Sequence, residues 1–390
     1  MRKYRAAYGI ALFTCAALMF GFGSGFLLAV CILLALLPPA LYGMLRLDKN
    51  KMNLEYQLRD VGQVGQDLHF SIGVRRSGIF MAAGAIEVTL AFRNKLFGNE
   101  AERKFLLPLR GNGNGYQCPL TPTLCGEVEV ECRKAVCYDL LGLCTLPLKK
   151  VRTQAVTVYP AALPLQILPF KMPRGNLTGS QSYRNRRGGD VSEVFDLREY
   201  TPGDDMRSIH WKLSGKMDNL ILREGSEPSQ DYTLVLFDAG AAAGEAILSA
   251  QLLSSAVALG AAVSSQLAEY GISHEIAIPA GGSLQHFEVR SRNDHLLMLR
   301  SWMGLQLQKK AGAGLEFFVI DKLDQTFTRL IYITADDFPV PIQTLSERMD
   351  VTVLRVTEEG KETRAAEEGR CQLIELPIQA IYDRAHQIVI

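Results

Sequence analysis

Between Arg5 and Arg46 the chain carries no charged residue, and every position from 6 to 45 is apolar, small or weakly polar. As one helix this run of 40 residues would be about 60 Å long at about 1.5 Å per residue. A bilayer's hydrocarbon core is only about 30 Å thick. Two spans fit the run, and Gly21-Phe22-Gly23-Ser24-Gly25 supplies the break between them. The pattern predicts spans over Ala6–Phe20 and Phe26–Leu45, with Tyr4 and Tyr8 in the interfacial belt. Pro38-Pro39 is expected to kink or end the second helix near a membrane face. Arg2, Lys3 and Arg5 precede the hairpin, and Arg46, Lys49 and Lys51 follow it. Positive flanks on both sides place both ends in the cytoplasm. A cleaved signal peptide would also begin with a charged segment such as Met1–Arg5. This run is too long for one, and Leu28-Ala29-Val30-Cys31 puts Val30 where a lipoprotein site wants a small residue.

The period then changes to two. Leu68–Ile72, Ile86–Phe92, Val128–Cys132 and Ala155–Tyr159 alternate or are β-rich, and Gly111–Gly115 reads as a turn. Short strands at regular spacing predict a β-sandwich-like domain over 49–162. Residues 163–185 are rich in Pro, Gly and polar side chains and read as a linker, so 163–230 is linker plus a dense polar segment. From 231 to 390 apolar strands alternate with helices. Strands are expected at 233–237, 274–278, 284–289, 330–334, 351–356 and 372–376, and helices at 245–270, 294–306 and 342–348. Gly281-Gly282 and Gly312-Ala313-Gly314 read as turns. Interleaving of this kind predicts a Rossmann-like α/β domain with a mostly parallel sheet covered on both faces.

Composition narrows the function classes. In the 390 residues, 48% hydrophobic and 21% charged content is enough for packed cores. A formal net charge of +1 provides no basic field for phosphate backbones, so nucleic acid is not an expected partner. Cys118, Cys125, Cys132, Cys137 and Cys144 cluster without a C-x-x-C pair, so no zinc site is expected. Cys132 alternates with Val128 and Val130 while Glu127, Glu129 and Glu131 take the other face, which reads as core packing.

The densest polar stretch is RRGGDVSEVFDLREYTPGDDMRSIHWKLSGK, residues 186–216. Thr201-Pro202-Gly203-Asp204 has turn chemistry. Asp204 or Asp205 is placed to cap a helix through Met206–Lys216, on which Arg207 and Trp211 share a face. Opposite charges nearly balance, so the segment reads either as a docking surface or as an ion-pair network sealing a domain junction. His210 with Ser208 or Ser214 would be the starting point for a hydrolase, but no nucleophile elbow frames them. No Walker-type phosphate loop is present.

The order of Glu193, Phe195, Arg198, Tyr200, Gly203, Asp204, Arg207, Ile209 and Trp211 resembles the signature of the domain of unknown function 58 family. Asp139-Leu140-Leu141-Gly142-Leu143 resembles its D-x-x-G-L turn, and Val158-Tyr159-Pro160 its V-Y-P strand end. Cys125-Gly126 departs from the family's frequent Arg-Gly. The resemblance implies a C-terminal domain similar to von Willebrand factor type A domains, and work alongside a MoxR-type AAA ATPase in complex assembly. Such domains hold Mg²⁺ with an Asp-x-Ser-x-Ser loop. Here Asp238 is kept, while Gly240 and Ala242 replace both hydroxyls. Asp336 and Asp337 are the nearby carboxylates that could add to it, but a hard cation needs more oxygens than these. The expectation is a multi-pass cell-membrane protein that is not an enzyme, binds no metal or cofactor, and docks protein partners through Glu193, Arg198, Tyr200, Gly203, Asp204, Arg207, His210 and Trp211. The rival readings are a metal-dependent binding module on Asp238 and a membrane-bound hydrolase on His210.

Overall fold

The structure is a computed structural model and describes residues 2–76, 83–109, 113–149, 151–164, 166–168, 187–188, 190–200, 206, 209–217, 219–226, 232–240, 246–336, 341–383 and 387–389. It opens with two antiparallel helices, α1 (Arg2–Phe22) and α2 (Gly25–Lys49). Gly23, in the left-handed region at φ +57°, turns the chain between them. Both helices are long and apolar enough to cross a membrane, and neither buries that apolar stretch within the protein.

The expected end at Pro38-Pro39 does not occur: α2 runs through both prolines to Lys49. Pro38 has no N–H to give the carbonyl of Leu34, one turn earlier. The Tyr8 hydroxyl of α1 donates to that carbonyl instead. A neighbouring helix thus repairs the break that proline makes, as apolar surroundings require.

α2 ends inside the next unit. Leu45 is fully buried in its core, and the Asp48 carboxylate accepts the Ala83 N–H at 3.1 Å. This unit is built from β1 (Met52–Leu58), β2 (Val61–Gln63), β3 (Leu68–Arg76), β4 (Ala83–Asn94), β5 (Glu100–Pro108), β6 (Gly113–Leu120), β7 (Gly126–Asp139), β8 (Thr145–Pro147) and β9 (Gln154–Tyr159). One sheet has the order β1-β3-β6 and the other β2-β9-β7-β4-β5, with β8 added to β7. Tyr56, Phe70 and Ile72 from the first meet Ile86, Val88, Leu90, Val130 and Cys132 from the second in a single core. Alternation along β7 places Cys132 in that core, as the sequence pattern predicts, and a bulge between Cys132 and Lys134 brings Cys137 to the same face.

β10 (Gln166–Leu168) lies in the predicted linker and pairs with the last strand of the chain. The polar segment makes its own small sheet of β11 (Arg187–Gly188), β12 (Asp190–Glu199) and β13 (Ile221–Ser226), in the order β11-β13-β12. Helix α3 (Trp211–Met217) lies between β12 and β13 in sequence and is shorter than the helix expected over 206–216.

The C-terminal unit comprises β14 (Thr233–Phe237), α4 (Ala246–Glu269), β15 (His274–Ala280), β16 (Ser283–Val289), α5 (Arg292–Met303), α6 (Ala313–Ile320), β17 (Arg329–Thr334), α7 (Pro341–Ser346), β18 (Asp350–Thr357), β19 (Arg364–Glu368), β20 (Cys371–Pro377), α8 (Ile378–Asp383) and β21 (Gln387–Val389). Seven strands follow the order β16-β15-β14-β17-β18-β20-β19; the five inner ones are parallel, and β16 and β19 are antiparallel edges. Val235, Phe237, Ile331 and Ile333 face the core under α4 and α5, whereas Leu234, Leu236, Leu330 and Tyr332 face the core under α6 and α7. Burial on both faces is why these strands read as continuous apolar runs. Gly312-Ala313-Gly314 corrects the sequence reading. Gly312 is the left-handed cap of α6, and the next two residues already belong to the helix.

The two larger units share a core. Leu96, Phe97 and Cys125 of the strand-rich unit pack with Trp302, Leu253 and Val257 of the C-terminal one. The Leu307 N–H donates to Leu96 O at 3.2 Å, and the Cys125 N–H to Ser254 Oγ at 3.2 Å. Gly126 must be glycine: φ is +118°, and a Cβ would lie 2.8 Å from both Asn94 Oδ1 and Leu96 Cβ.

Candidate functional site

Two places carry the residues singled out by sequence: the mouth of the C-terminal sheet and the polar segment. At the mouth, β14 ends at Phe237 and delivers Asp238 to the carboxyl ends of the parallel strands, where open α/β sheets bind ligands. Asp238 is completely buried. Its Oδ1 accepts the Gly240 N–H at 3.1 Å, and its Oδ2 accepts the Gly314 N–H at 3.0 Å and the Tyr332 hydroxyl at 3.0 Å. Gly314 lies in the first turn of α6, so the carboxylate sits at the positive end of that helix. Gly314 also permits the approach, since a Cβ there would meet Phe237 O at 3.2 Å and Asp238 Oδ2 at 3.3 Å. Burial pushes the Asp238 carboxyl up to about 6; the three hydrogen bonds oppose the shift, and the charge of Asp336 adds to it. The Tyr332 phenol is raised, by burial first and then by Asp238.

Gly240 has no room for a side chain. A Cβ there would collide with the Asp336 carboxylate and lie 2.6 Å from Ala311 Cα. The carboxylate of Asp336 fills the volume that a serine at 240 would need. Ala242 and Asp337 lie outside the described residues. Among the described residues no cluster of three His, Cys, Asp or Glu side chains is arranged to hold a metal ion.

In the polar segment, Gly203, Asp204 and Arg207 lie outside the described residues, as do Asp205 and Ser208. Glu193 and Arg198 fall on β12, and the Tyr200 N–H donates to Leu220 O at 2.8 Å, which extends the pairing of β12 with β13. His210 is the hinge between the bridge at Ile209 and α3. Its N–H donates to Ile221 O at 2.8 Å, and its Nδ1 accepts the Leu213 N–H at 3.3 Å. An acceptor three residues ahead of that N–H does the work of an N-cap. Ser214 Oγ donates to His210 O at 3.1 Å and accepts the Ile221 N–H at 2.9 Å. Both bonds of that hydroxyl go to main chain, and neither goes to the imidazole. Ile209 and Ile221 are buried, while Trp211 is 65% exposed, with Met206 and Leu220 also exposed.

Sequence reasoning missed one buried polar cluster. Ser264 of α4 lies 2.8 Å from His274 Nε2 and 3.0 Å from His295 Nδ1, and His274 Nδ1 is 3.0 Å from Ile272 O. The carbonyl requires His274 Nδ1 to donate. In the neutral rings the network then assigns His295 Nδ1–H to Ser264 and the Ser264 hydroxyl to His274 Nε2. Burial lowers both histidines, His295 to about 4. A signal existed: His274 opens a strand that is apolar from Ile276 on, and Ser264 stands inside an apolar helix. With Ser264 fully enclosed, the cluster ties α4 to β15 and α5.

No curated protein matches the chain. Among solved structures, a cohesin module of a Clostridium perfringens family 33 glycoside hydrolase is 14% identical, covering 28% of this chain and 98% of the module at a TM-score of 0.22. A CARDB domain from Pyrococcus furiosus, solved with di-metal ions, is 17% identical over 27% of this chain and 86% of its own, at 0.20. A β-glucosidase from Listeria innocua is 12% identical over 28% of this chain and 16% of its own, also at 0.20. Scores this low carry no inference about fold or activity. The model of the family described as Protein of unknown function DUF58 matches residues 196–377, from the end of β12 to the end of β20, and this match supports assigning the chain to that family.

Proposed function

We propose that this protein is a multi-pass membrane protein whose hairpin α1–α2 holds a non-enzymatic scaffold in the cytoplasm, where it docks protein partners without a metal ion. On this reading the two-sheet unit is a β-sandwich and the C-terminal unit is a von Willebrand factor type A-like domain with an altered ligand loop. One observation carries the proposal: Trp211 stands exposed on α3, with Met206 and Leu220 of the same segment also exposed, while the Ser214 hydroxyl and the His210 carbonyl are spent on bonds within the segment. An exposed tryptophan on a short, internally tied helix suits partner binding, because such residues dominate interface energetics. Support for metal independence comes from Asp238, whose two oxygens already accept three protein donors, and from Gly240, whose side-chain space Asp336 fills. Support for the membrane setting comes from two apolar helices that bury none of that stretch in the protein.

The experiment is affinity capture of the detergent-solubilised full chain, with partners identified by mass spectrometry, comparing the native chain with Trp211→Ala and repeating both with a Mg²⁺ chelator. A MoxR-type AAA ATPase is the partner that the family resemblance nominates. The proposal expects partners that Trp211→Ala loses and the chelator leaves in place. Loss on chelation would favour a metal-dependent module, and indifference to Trp211→Ala would remove the docking surface.

A further inference from the structure

Apolar residues at the tip of a water-facing turn need a reason, and the turn between β7 and β8 has two: Leu140 is 63% exposed and Leu141 49%. The turn that carries them is tightly made. The Gly142 N–H donates to Asp139 O at 3.1 Å, the Cys144 N–H to the Asp139 carboxylate at 2.9 Å, and the Asp139 N–H to Cys144 O at 3.3 Å. Gly142 supplies the left-handed conformation at φ +71°. Behind the turn, Gly84 allows close seating, since a Cβ there would lie 2.9 Å from Leu140 Cα. The two leucines are therefore held outward by backbone geometry.

The position of this turn relative to the hairpin gives the exposure its meaning. Arg5 Nε of α1 donates to Gly142 O at 3.4 Å, and Cys144 Sγ donates to Pro38 O of α2 at 3.4 Å. Pro38 lies eight residues before Arg46, about 12 Å along a helix rising about 1.5 Å per residue. The turn thus sits level with Arg5, the cation that opens α1, and on the uncharged side of Arg46, where the hairpin would enter lipid. Within four residues of Pro38, α2 also exposes Leu36 and Tyr42.

We infer that Leu140 and Leu141 form a third membrane contact, an apolar fingertip that enters the boundary between headgroups and acyl chains beside the two ends of the hairpin. The inference rests on the proposal that the hairpin spans a bilayer, and it adds a consequence. A hairpin alone lets the body swing about its tether, whereas a third contact fixes which face of the body meets the membrane. The occupant is the lipid bilayer, because the patch continues the apolar surface of the hairpin.

The test uses tryptophan as a depth probe in the full chain, reconstituted into phosphatidylcholine bilayers brominated near the headgroup or near the chain end. Leu33→Trp, at a site 70% exposed in α2, reports on the hairpin; Leu140→Trp and Leu141→Trp report on the tip. The parent, with buried Trp302 and exposed Trp211, gives the background. Two tip variants guard against one that folds poorly, and matching thermal melts confirm folding. The proposal expects loss of emission at Leu33→Trp and at both tip variants, the tip losing most with bromine near the headgroup. Quenching at Leu33→Trp while both tip variants behave like the parent would overturn the fingertip and leave the hairpin standing. No quenching at Leu33→Trp would overturn the spanning hairpin, and the fingertip with it.

Discussion

Among the described residues, three helices are long and apolar enough to cross a membrane, and they have different fates. The stretches Tyr4–Phe22 and Gly25–Lys49 have mean hydropathies of 1.5 and 2.3, and their most apolar windows are not buried in the protein; Leu248–Glu269 of α4 has 1.4, and 72% of its window is buried. Hydropathy alone ranks α4 almost level with α1. The difference lies in what each helix meets. α4 carries Ser254, Ser255 and Ser264 on buried positions and finds partners for them in Cys125, Tyr382, His274 and His295. The hairpin satisfies the Leu34 carbonyl that Pro38 orphans internally, through Tyr8, and turns most of its apolar surface outward. An apolar helix with protein on its faces is a core element, and one without calls for lipid.

A single charge placed in each helix should break the comparison most sharply. Leu259→Asp puts a carboxylate in the fully buried face of α4 and should cost more than about 4 kcal/mol, which unfolds the C-terminal unit. Leu33→Asp on the exposed face of α2 should leave that unit's stability unchanged and oppose insertion by about 3 kcal/mol. Denaturant melts followed by Trp302 emission separate the two. Equal melting points would mean that α4 is not a core helix.

Asp238→Ala comes next. It strands the Gly240 and Gly314 N–H groups and the Tyr332 hydroxyl, a loss on the order of 3 kcal/mol in the same melt. Mg²⁺ should shift neither the native chain nor the variant.

Acid should act on α4 and leave the hairpin alone. His274 and His295 lie below the usual histidine value of 6.5 in the folded state because burial disfavours their charge. The unfolded chain therefore binds protons first, and the stability these residues contribute is lost as pH falls from about 6.5 toward about 4. Asp238 has the opposite sign: raised from 3.8 to about 6, it contributes stability at low pH that disappears as pH rises through about 6. The acid loss should then be steeper in Asp238→Ala than in the native chain, measured as melting temperature against pH. The smallest effect belongs to Trp211→Ala, whose exposed ring should change stability by less than about 0.5 kcal/mol while removing partner capture.

How far these features were legible in the sequence follows the same division. The hairpin and the cores of the parallel strands were readable because each rests on local chemistry, an uncharged run and an unbroken apolar strand, whereas the turn at Asp139–Gly142 was marked only by the family resemblance. The continuity of α2 was not readable, because the group that rescues its helix, Tyr8, lies 26 residues from Leu34. The role of Asp238 was half readable. Its position after an apolar strand marked it, but its partners Gly314 and Tyr332 are 76 and 94 residues away. α6 escaped because its cap is Gly312, which imitates a turn, and β19 because its residues are exposed and polar. Of the residues expected to dock partners, Trp211 and His210 separate in the structure into an exposed ring and a helix cap, a distinction that spacing alone does not make.

The contrast between lipid-facing and protein-facing apolar helices can be tested most directly by flotation. The full chain is mixed with phosphatidylcholine vesicles, washed at high salt and alkaline pH, and floated, with Leu33→Asp/Leu36→Asp as the comparison. The account predicts that the native chain rises with the vesicles through both washes and that the double variant stays at the bottom with its α/β unit still folded. A native chain released by alkali in folded form would contradict it.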